Sequence, residues 1–129
     1  MQKTTAKCIL VCGGRDYSDV NRVYRVLDEF YDQYQAIGIY LRIVAGGATG
    51  ADTIAENWAR DRGVPCKVYP ANWALHKKAA GPIRNAQMLK EGKPDLVLAF
   101  AGGAGTADMI AKAKKAKVHV MEILEDVVG

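Results

Sequence analysis

Two arginines and two aspartates stand beside glycine turns, where charged side chains could bind an anion or move a proton. Arg15 directly follows Gly13-Gly14, Arg84 lies at a helix start just after Gly81-Pro82, and Asp52 and Asp108 each come shortly after a glycine turn. A guanidinium fork matches phosphate oxygens with parallel hydrogen bonds, so Arg15 and Arg84 are the leading anion-binding side chains. A carboxylate repels phosphate. Asp52 and Asp108, with Asp16 beside Arg15, therefore suit ribose hydroxyls, a cation or the leaving base. In cleavage of an N-glycosidic bond, Asp52 or Asp108 would be the catalytic group, protonating the base or steadying oxocarbenium charge and positioning water. Each residue also has a plain structural reading. Both aspartates fall near helix N-termini, where the dipole favours a carboxylate that caps N–H groups, and Arg15 can pair with Asp16 or Asp19 at the surface.

The elements that must position these residues are separated by three glycine turns: Gly13-Gly14, Gly46-Gly47-Ala48-Thr49-Gly50, and Gly102-Gly103-Ala104-Gly105-Thr106. Each lies between an apolar strand-like run and a helix-like run. In a parallel α/β sheet such turns gather at the carboxyl edge of the strands, where backbone N–H groups and helix N-termini can surround phosphate. The backbone of Gly13, Gly14, Gly46, Gly47, Gly102, Gly103 and Gly105 and the Thr106 hydroxyl are the candidate phosphate holders, with Gly50 closing the second turn. Taken singly, each turn is explained by tight βα geometry; the convergence of three argues for a pocket. None matches Gly-x-Gly-x-x-Gly or ends in Gly-Lys-Ser/Thr, which disfavours a standard dinucleotide dehydrogenase and a P-loop NTPase.

The continuous apolar run Lys7–Cys12 predicts a central strand covered on both faces. Val20, Val23, Tyr24, Leu27, Phe30, Tyr31 and Tyr34 then recur at helical spacing. Further strands are expected over 41–45, 66–69, 95–100 and 117–123, and helices over 51–62, from Gly81-Pro82 to about Gly92, and over 106–115. Proline should sit at the first position of the helix at Gly81-Pro82, with Arg84 and Asn85 in its first turn. The connection 70–80 is long for a βα loop. Its Trp73 can stack on a base, and His76 with Lys77 and Lys78 can close over phosphate as a lid; the alternative is a tryptophan tucked into the core. The predicted fold is α/β: a single Rossmann-like open parallel sheet of about five strands with helices on both faces, order 3-2-1-4-5, as one domain over 1–129.

Bulk properties narrow the partners. Eighteen basic against fourteen acidic residues in a chain of 129 give a net charge of +4, which favours anionic ligands without forming a dense nucleic-acid stripe. Lys112, Lys114, Lys115 and Lys117 read as a solvated helix face. Three cysteines, Cys8, Cys12 and Cys66, lack a Cys-x-x-Cys pair and read as reduced core residues. His76 and His119 have no ligand cluster around them, so no metal site is expected; no cofactor is read from the chain, and Mg2+ accompanying phosphate is left open. Without a signal-peptide core or a membrane-length segment, the expectation is a cytoplasmic protein with no membrane contact. Apolar surface on the 20–34 helix suggests a homo-oligomer.

Four segments together resemble the YspA-like branch of the SLOG superfamily, which joins the Lonely Guy hydrolases with the DNA-processing protein A. They are Val11-Cys-Gly-Gly-Arg-Asp-Tyr17, Val44-Ala-Gly-Gly-Ala-Thr-Gly-Ala-Asp-Thr53, Ala80-Gly-Pro-Ile-Arg-Asn85 with Met88, and Phe100-Ala-Gly-Gly-Ala-Gly-Thr-Ala-Asp-Met109. The resemblance implies a Rossmann-like domain that binds a nucleotide or nucleotide-derived ligand as a sensor or processor. Lonely Guy enzymes cleave the base from a riboside monophosphate using Pro-Gly-Gly-x-Gly-Thr-x-x-Glu. Here Ala101 stands at the proline and Met109 at the glutamate, while Asp108 lies one residue earlier and is turned by about 100° on a helix. Gly46 to Asp52 also resembles a turn of the DNA-processing protein, whose members bind single-stranded DNA, although the aromatic-rich basic groove of that task is lacking. Three readings stand: nucleotide-ligand binding, N-glycosidic hydrolysis of a nucleoside monophosphate, and single-stranded DNA binding.

Overall fold

The computed structural model describes residues 6–124. Five parallel strands, β1 (Ala6–Cys12), β2 (Tyr40–Ala45), β3 (Cys66–Val68), β4 (Leu96–Phe100) and β5 (His119–Ile123), form one sheet in the order β3-β2-β1-β4-β5. This is the expected order. The chain leaves β1 towards β2 on one side and leaves β4 towards β5 on the other, so β1 and β4 flank the switch point where an open α/β sheet forms its crevice.

Central strands read as unbroken apolar runs because both their faces are covered. On one face Ile9, Val11, Ile43, Leu98 and Phe100 pack under α1 (Val20–Ala36) and α2 (Ala51–Arg62). On the other, Cys8, Leu10, Cys12, Val44, Val97 and Ala99 pack with Met88 of α4 (Ala80–Gly92) and with Met109 and Ala113 of α5 (Ala104–Lys115). The predicted α1 stripe is deepest in its middle: Val23 and Leu27 are fully buried, while Val20 is 48% exposed at the first position. Asp19 caps that helix by accepting from the Arg22 N–H at 3.0 Å. Gly63, at φ 70°, ends α2 in the left-handed conformation. The indole N–H of the fully buried Trp58 donates to Asp28 at 2.9 Å, which ties α2 to α1. All three cysteines are free thiols, Cys8 and Cys12 buried in β1.

The strands after which the loops leave match expectation to within a residue; larger differences fall elsewhere. The 70–80 connection is not a plain loop: Asn72 accepts from the Leu75 N–H at 3.1 Å and starts a short helix, α3 (Trp73–His76), followed by a 3-10 turn over Lys77–Ala79. That lead-in lets α4 begin at Ala80. Pro82 is then its third residue, and Arg84 and Asn85 lie in its second turn. Proline is tolerated there because its missing N–H falls among the first donors of a helix, which have no partner within the helix anyway. Helix α5 starts at Ala104 rather than Thr106, so Gly105 is helical. Strand β5 starts at His119 because Lys117, at φ 62°, turns the chain first. Among the described residues, no helix is long and apolar enough to cross a membrane.

Candidate functional site

The loops after β1, β2 and β4 converge at the carboxyl edge of the sheet on a cavity of about 830 Å³. Their backbones are laced together. The Gly14 N–H donates to the Ala101 carbonyl at 2.9 Å, the Ala51 N–H donates to the Gly14 carbonyl at 3.3 Å, and the Thr49 hydroxyl donates to the Arg15 carbonyl at 3.2 Å. This crossing explains Gly50, which sits at φ +78° and whose added Cβ would lie 2.1 Å from the Gly14 oxygen. Gly103 and Gly105 are different: a Cβ at either would meet nothing within 4 Å. No packing demand requires glycine at the start of α5, and its absent side chains leave that helix N-terminus open to the cavity.

Asp52, buried at 5% exposure, turns back from the first turn of α2 to accept from the Gly46 and Ala48 N–H groups at 3.1 and 3.2 Å. Burial pushes its carboxyl up to about 6, against those two hydrogen bonds and the charge of Arg84, which pull it down. Arg84 crosses from α4 and donates to the Gly46 carbonyl through Nη1 and to Asn85 Oδ1 through Nε at 3.1 Å. Burial lowers the Arg84 pKa, and the nearby Arg15 guanidinium adds to that lowering while Asp52 opposes it.

Asn85, almost fully buried, joins the two sides of the site. Its Nδ2 donates to the Gly105 carbonyl at 3.2 Å and to Asp108 Oδ2 at 3.0 Å, and Asp108 also takes the Lys112 ammonium. Burial raises the Asp108 carboxyl, but the Lys112 and Asn85 hydrogen bonds outweigh it, so this acid titrates below its ordinary value. The two candidate carboxylates are thus displaced in opposite directions. Cys12 lies in the cavity floor with its thiol pushed up to about 12 by burial, which leaves it an inert wall atom.

Of the residues expected at the site, Gly13, Gly14, Arg15, Asp16, Asp52, Trp73, Arg84, Asn85, Gly102, Gly103, Gly105, Thr106 and Asp108 all line this cavity. Gly46 and Gly47 line a smaller neighbour of about 280 Å³, and Gly50 packs beneath the loops. His76 lines neither cavity. Trp73 is 45% exposed rather than tucked into the core, and the Arg15 guanidinium lies 4.8 Å from its ring centre. Lys112, expected on a solvated face, instead holds Asp108. Tyr17 and Met88 also line the cavity without having been expected there. Met88 was legible, since Gly81, Arg84, Asn85 and Met88 recur at helical spacing. Among the described residues, no three His, Cys, Asp or Glu side chains converge as a metal site.

The model of the YspA, cpYpsA-related SLOG family matches residues 8–76. Over 120 residues the chain is 36% identical to the Gene 61 protein of Mycobacterium phage D29, covering 88% of this chain and 93% of that protein. A crystal structure of UDP-N-acetylglucosamine 2-epimerase superposes with a TM-score of 0.59 at 15% identity over 92% of this chain. The chain spans 33% of that enzyme, and the likeness is one of fold. The family match covers β1 to α3; Arg84, Asn85 and Asp108 join the site by geometry.

Proposed function

The chain belongs to the YspA, cpYpsA-related SLOG family, and from that premise we propose that it is a single-domain nucleotide-ligand binding protein, a sensor or processor that takes a nucleotide or nucleotide-derived molecule in the larger cavity. The observation that carries this reading is the convergence of three glycine-bearing loops, two guanidiniums and three carboxylates, Asp16, Asp52 and Asp108, on one cavity of about 830 Å³. That volume falls in the range of small-molecule sites. Phosphate meets Arg84 and Arg15 and the open start of α5, the carboxylates meet ribose hydroxyls and base donors, and Trp73 offers a ring to a base.

A second reading, N-glycosidic hydrolysis, is favoured by one observation: Asp52 is raised to about 6 while Asp108 is lowered. Carboxylates driven apart in this way suit the roles of acid and charge stabiliser. In that reaction Asp52 protonates the leaving base as the C1′–N bond breaks, Asp108 steadies positive charge on the ribose, and water adds to C1′ and gives up a proton to the Asp52 carboxylate left behind. One experiment separates the readings. The purified protein is incubated with nucleoside monophosphates, NAD and ADP-ribose, and the bound and free fractions are chromatographed. An intact compound retained on the protein supports binding; released free base establishes cleavage, which Asp52→Asn or Asp108→Asn then abolishes. A pool neither retained nor cleaved refutes both.

A further inference from the structure

Charge is not shared evenly between the two cavities. Asp16, Asp52 and Asp108 all line the larger one. Among the described residues the smaller cavity has no acidic side chain in its wall, yet both Arg15 and Arg84 belong to it. It is bounded by the Gly46–Thr49 turn on one side and by Pro70 and Ala71 on the other. Neither arginine is in an ion pair among the described residues. Arg15 lies close enough to lower the Arg84 pKa, and Asp52, which offsets that effect, lines the larger cavity alone; an anion placed between the two guanidiniums on the side of the smaller cavity relieves the repulsion that remains.

The wall between the cavities is made of side chains. Arg15, Ala48, Trp73 and Arg84 belong to both. Arg84 is pinned by the Gly46 carbonyl and Asn85. Arg15 and Trp73, by contrast, are exposed residues, one on the loop after β1 and the other at the start of α3, whose contact is the 4.8 Å cation–π pair. They can part without disturbing the sheet, which joins the two spaces.

Resting on the reading of the larger cavity as a nucleotide site, we propose that the smaller cavity is a second anion subsite that takes the distal phosphoryl group of a ligand carrying two. The ligand class is then a nucleoside diphosphate or one of its esters, in preference to a monophosphate. The nucleoside lies among the carboxylates, the first phosphoryl group meets Arg84 at the partition, and the second passes beneath Arg15. A space of about 280 Å³ holds a phosphoryl group with water and falls just below the volumes that take a whole small molecule.

The test is calorimetric titration of the intact protein, at fixed Mg2+, with AMP, GMP, CMP, UMP and the four corresponding diphosphates. For the base that binds, the diphosphate is expected to bind at least about tenfold more tightly, the gain of one further charge-assisted contact. Ala71 lines only the smaller cavity. Ala71→Asp puts a carboxylate there and brings the diphosphate-to-monophosphate ratio to about one, whereas the uncharged Ala71→Asn keeps the preference. Because the ratio is taken within each variant, partial loss of folded protein does not alter it. Equal affinities in the unmodified protein, or an undiminished ratio in Ala71→Asp, overturn the subsite and leave the nucleotide reading intact. Failure of every nucleotide to bind overturns that reading and the subsite with it.

Discussion

Asp52 should make the fold less stable as pH rises, and Asp52→Asn should remove that dependence. The carboxyl is 5% exposed, and burial lifts its pKa from 3.8 to about 6. Between those values the folded chain holds a proton that the unfolded chain releases, so the group's contribution is fully present below about pH 4 and is lost as pH rises through 6. A shift of about two units corresponds to about 3 kcal/mol. Asparagine has the same shape and no charge, and its amide oxygen can accept from the Gly46 and Ala48 N–H groups as Asp52 does. The assay is urea unfolding of both proteins at half-unit steps from pH 4 to pH 8. The unfolding free energy of the variant minus that of the parent should climb by about 2.5 kcal/mol between pH 4 and pH 7, most of the full effect, and other titrating groups cancel in the difference. A difference that is flat or falling across this window would refute the argument that burial dominates at Asp52. A climbing difference would mean that the cavity wall carries a carboxylate that weakens the fold at neutral pH, as residues kept for function do.

Arg84→Gln should weaken binding of a nucleoside monophosphate by about tenfold to a hundredfold in calorimetric titration, the loss of a charge-assisted hydrogen bond; unchanged affinity would move phosphate away from α4. Gly105→Ala should raise stability towards urea by about 0.5–1 kcal/mol, because the position is helical and open. The same substitution should lower nucleotide affinity by placing a methyl group at the start of α5, and unaltered affinity would take the ligand off that helix. Gly50→Ala should cost about 2 kcal/mol or more in the same unfolding assay, since it combines positive φ with a Cβ 2.1 Å from the Gly14 oxygen; a neutral result would mean that the three loops do not cross as described. Saturating nucleotide should change tryptophan emission by parting Arg15 from Trp73, and the change should vanish in Trp73→Phe, because Trp58 is fully buried and held by Asp28.

The fold was legible because its strongest signals are local and redundant. Lys7–Cys12 is apolar on both faces and ends at glycine, and such a run has few places to go except the centre of a parallel sheet. Alternating strands and helices with crossovers of one hand narrow the strand order without fixing it, since 3-2-1-4-5 and 2-1-3-4-5 both obey that rule. Boundaries were weaker where two local signals compete. Pro82 marks a helix start correctly in kind, but Asn72 upstream had already begun helical turns, so α4 starts before the proline. Lys117 adopts positive φ without being glycine or asparagine, and nothing in its identity announces that turn.

The site was legible through its loops and obscure across its helices. Turn residues report their own conformation, whereas Arg84 and Asn85 act through partners 38 and 20 residues away that no local pattern names; the Asp108–Lys112 pair, four residues apart on one helix, was open to reading. Asp108 shows the difference most clearly. On a helix one residue is a turn of about 100°, which separates Asp108 from its neighbour Met109. The rotation is real: Met109 is fully buried against the sheet and Asp108 lies at the cavity wall. Its consequence depends on Asn85, which reaches across from α4 to hold both the Gly105 carbonyl and the Asp108 carboxylate, and on Lys112 one turn further along α5. The carboxylate is therefore set by a contact between two helices rather than by its place in a motif, and the motif position itself, filled by methionine, serves the core.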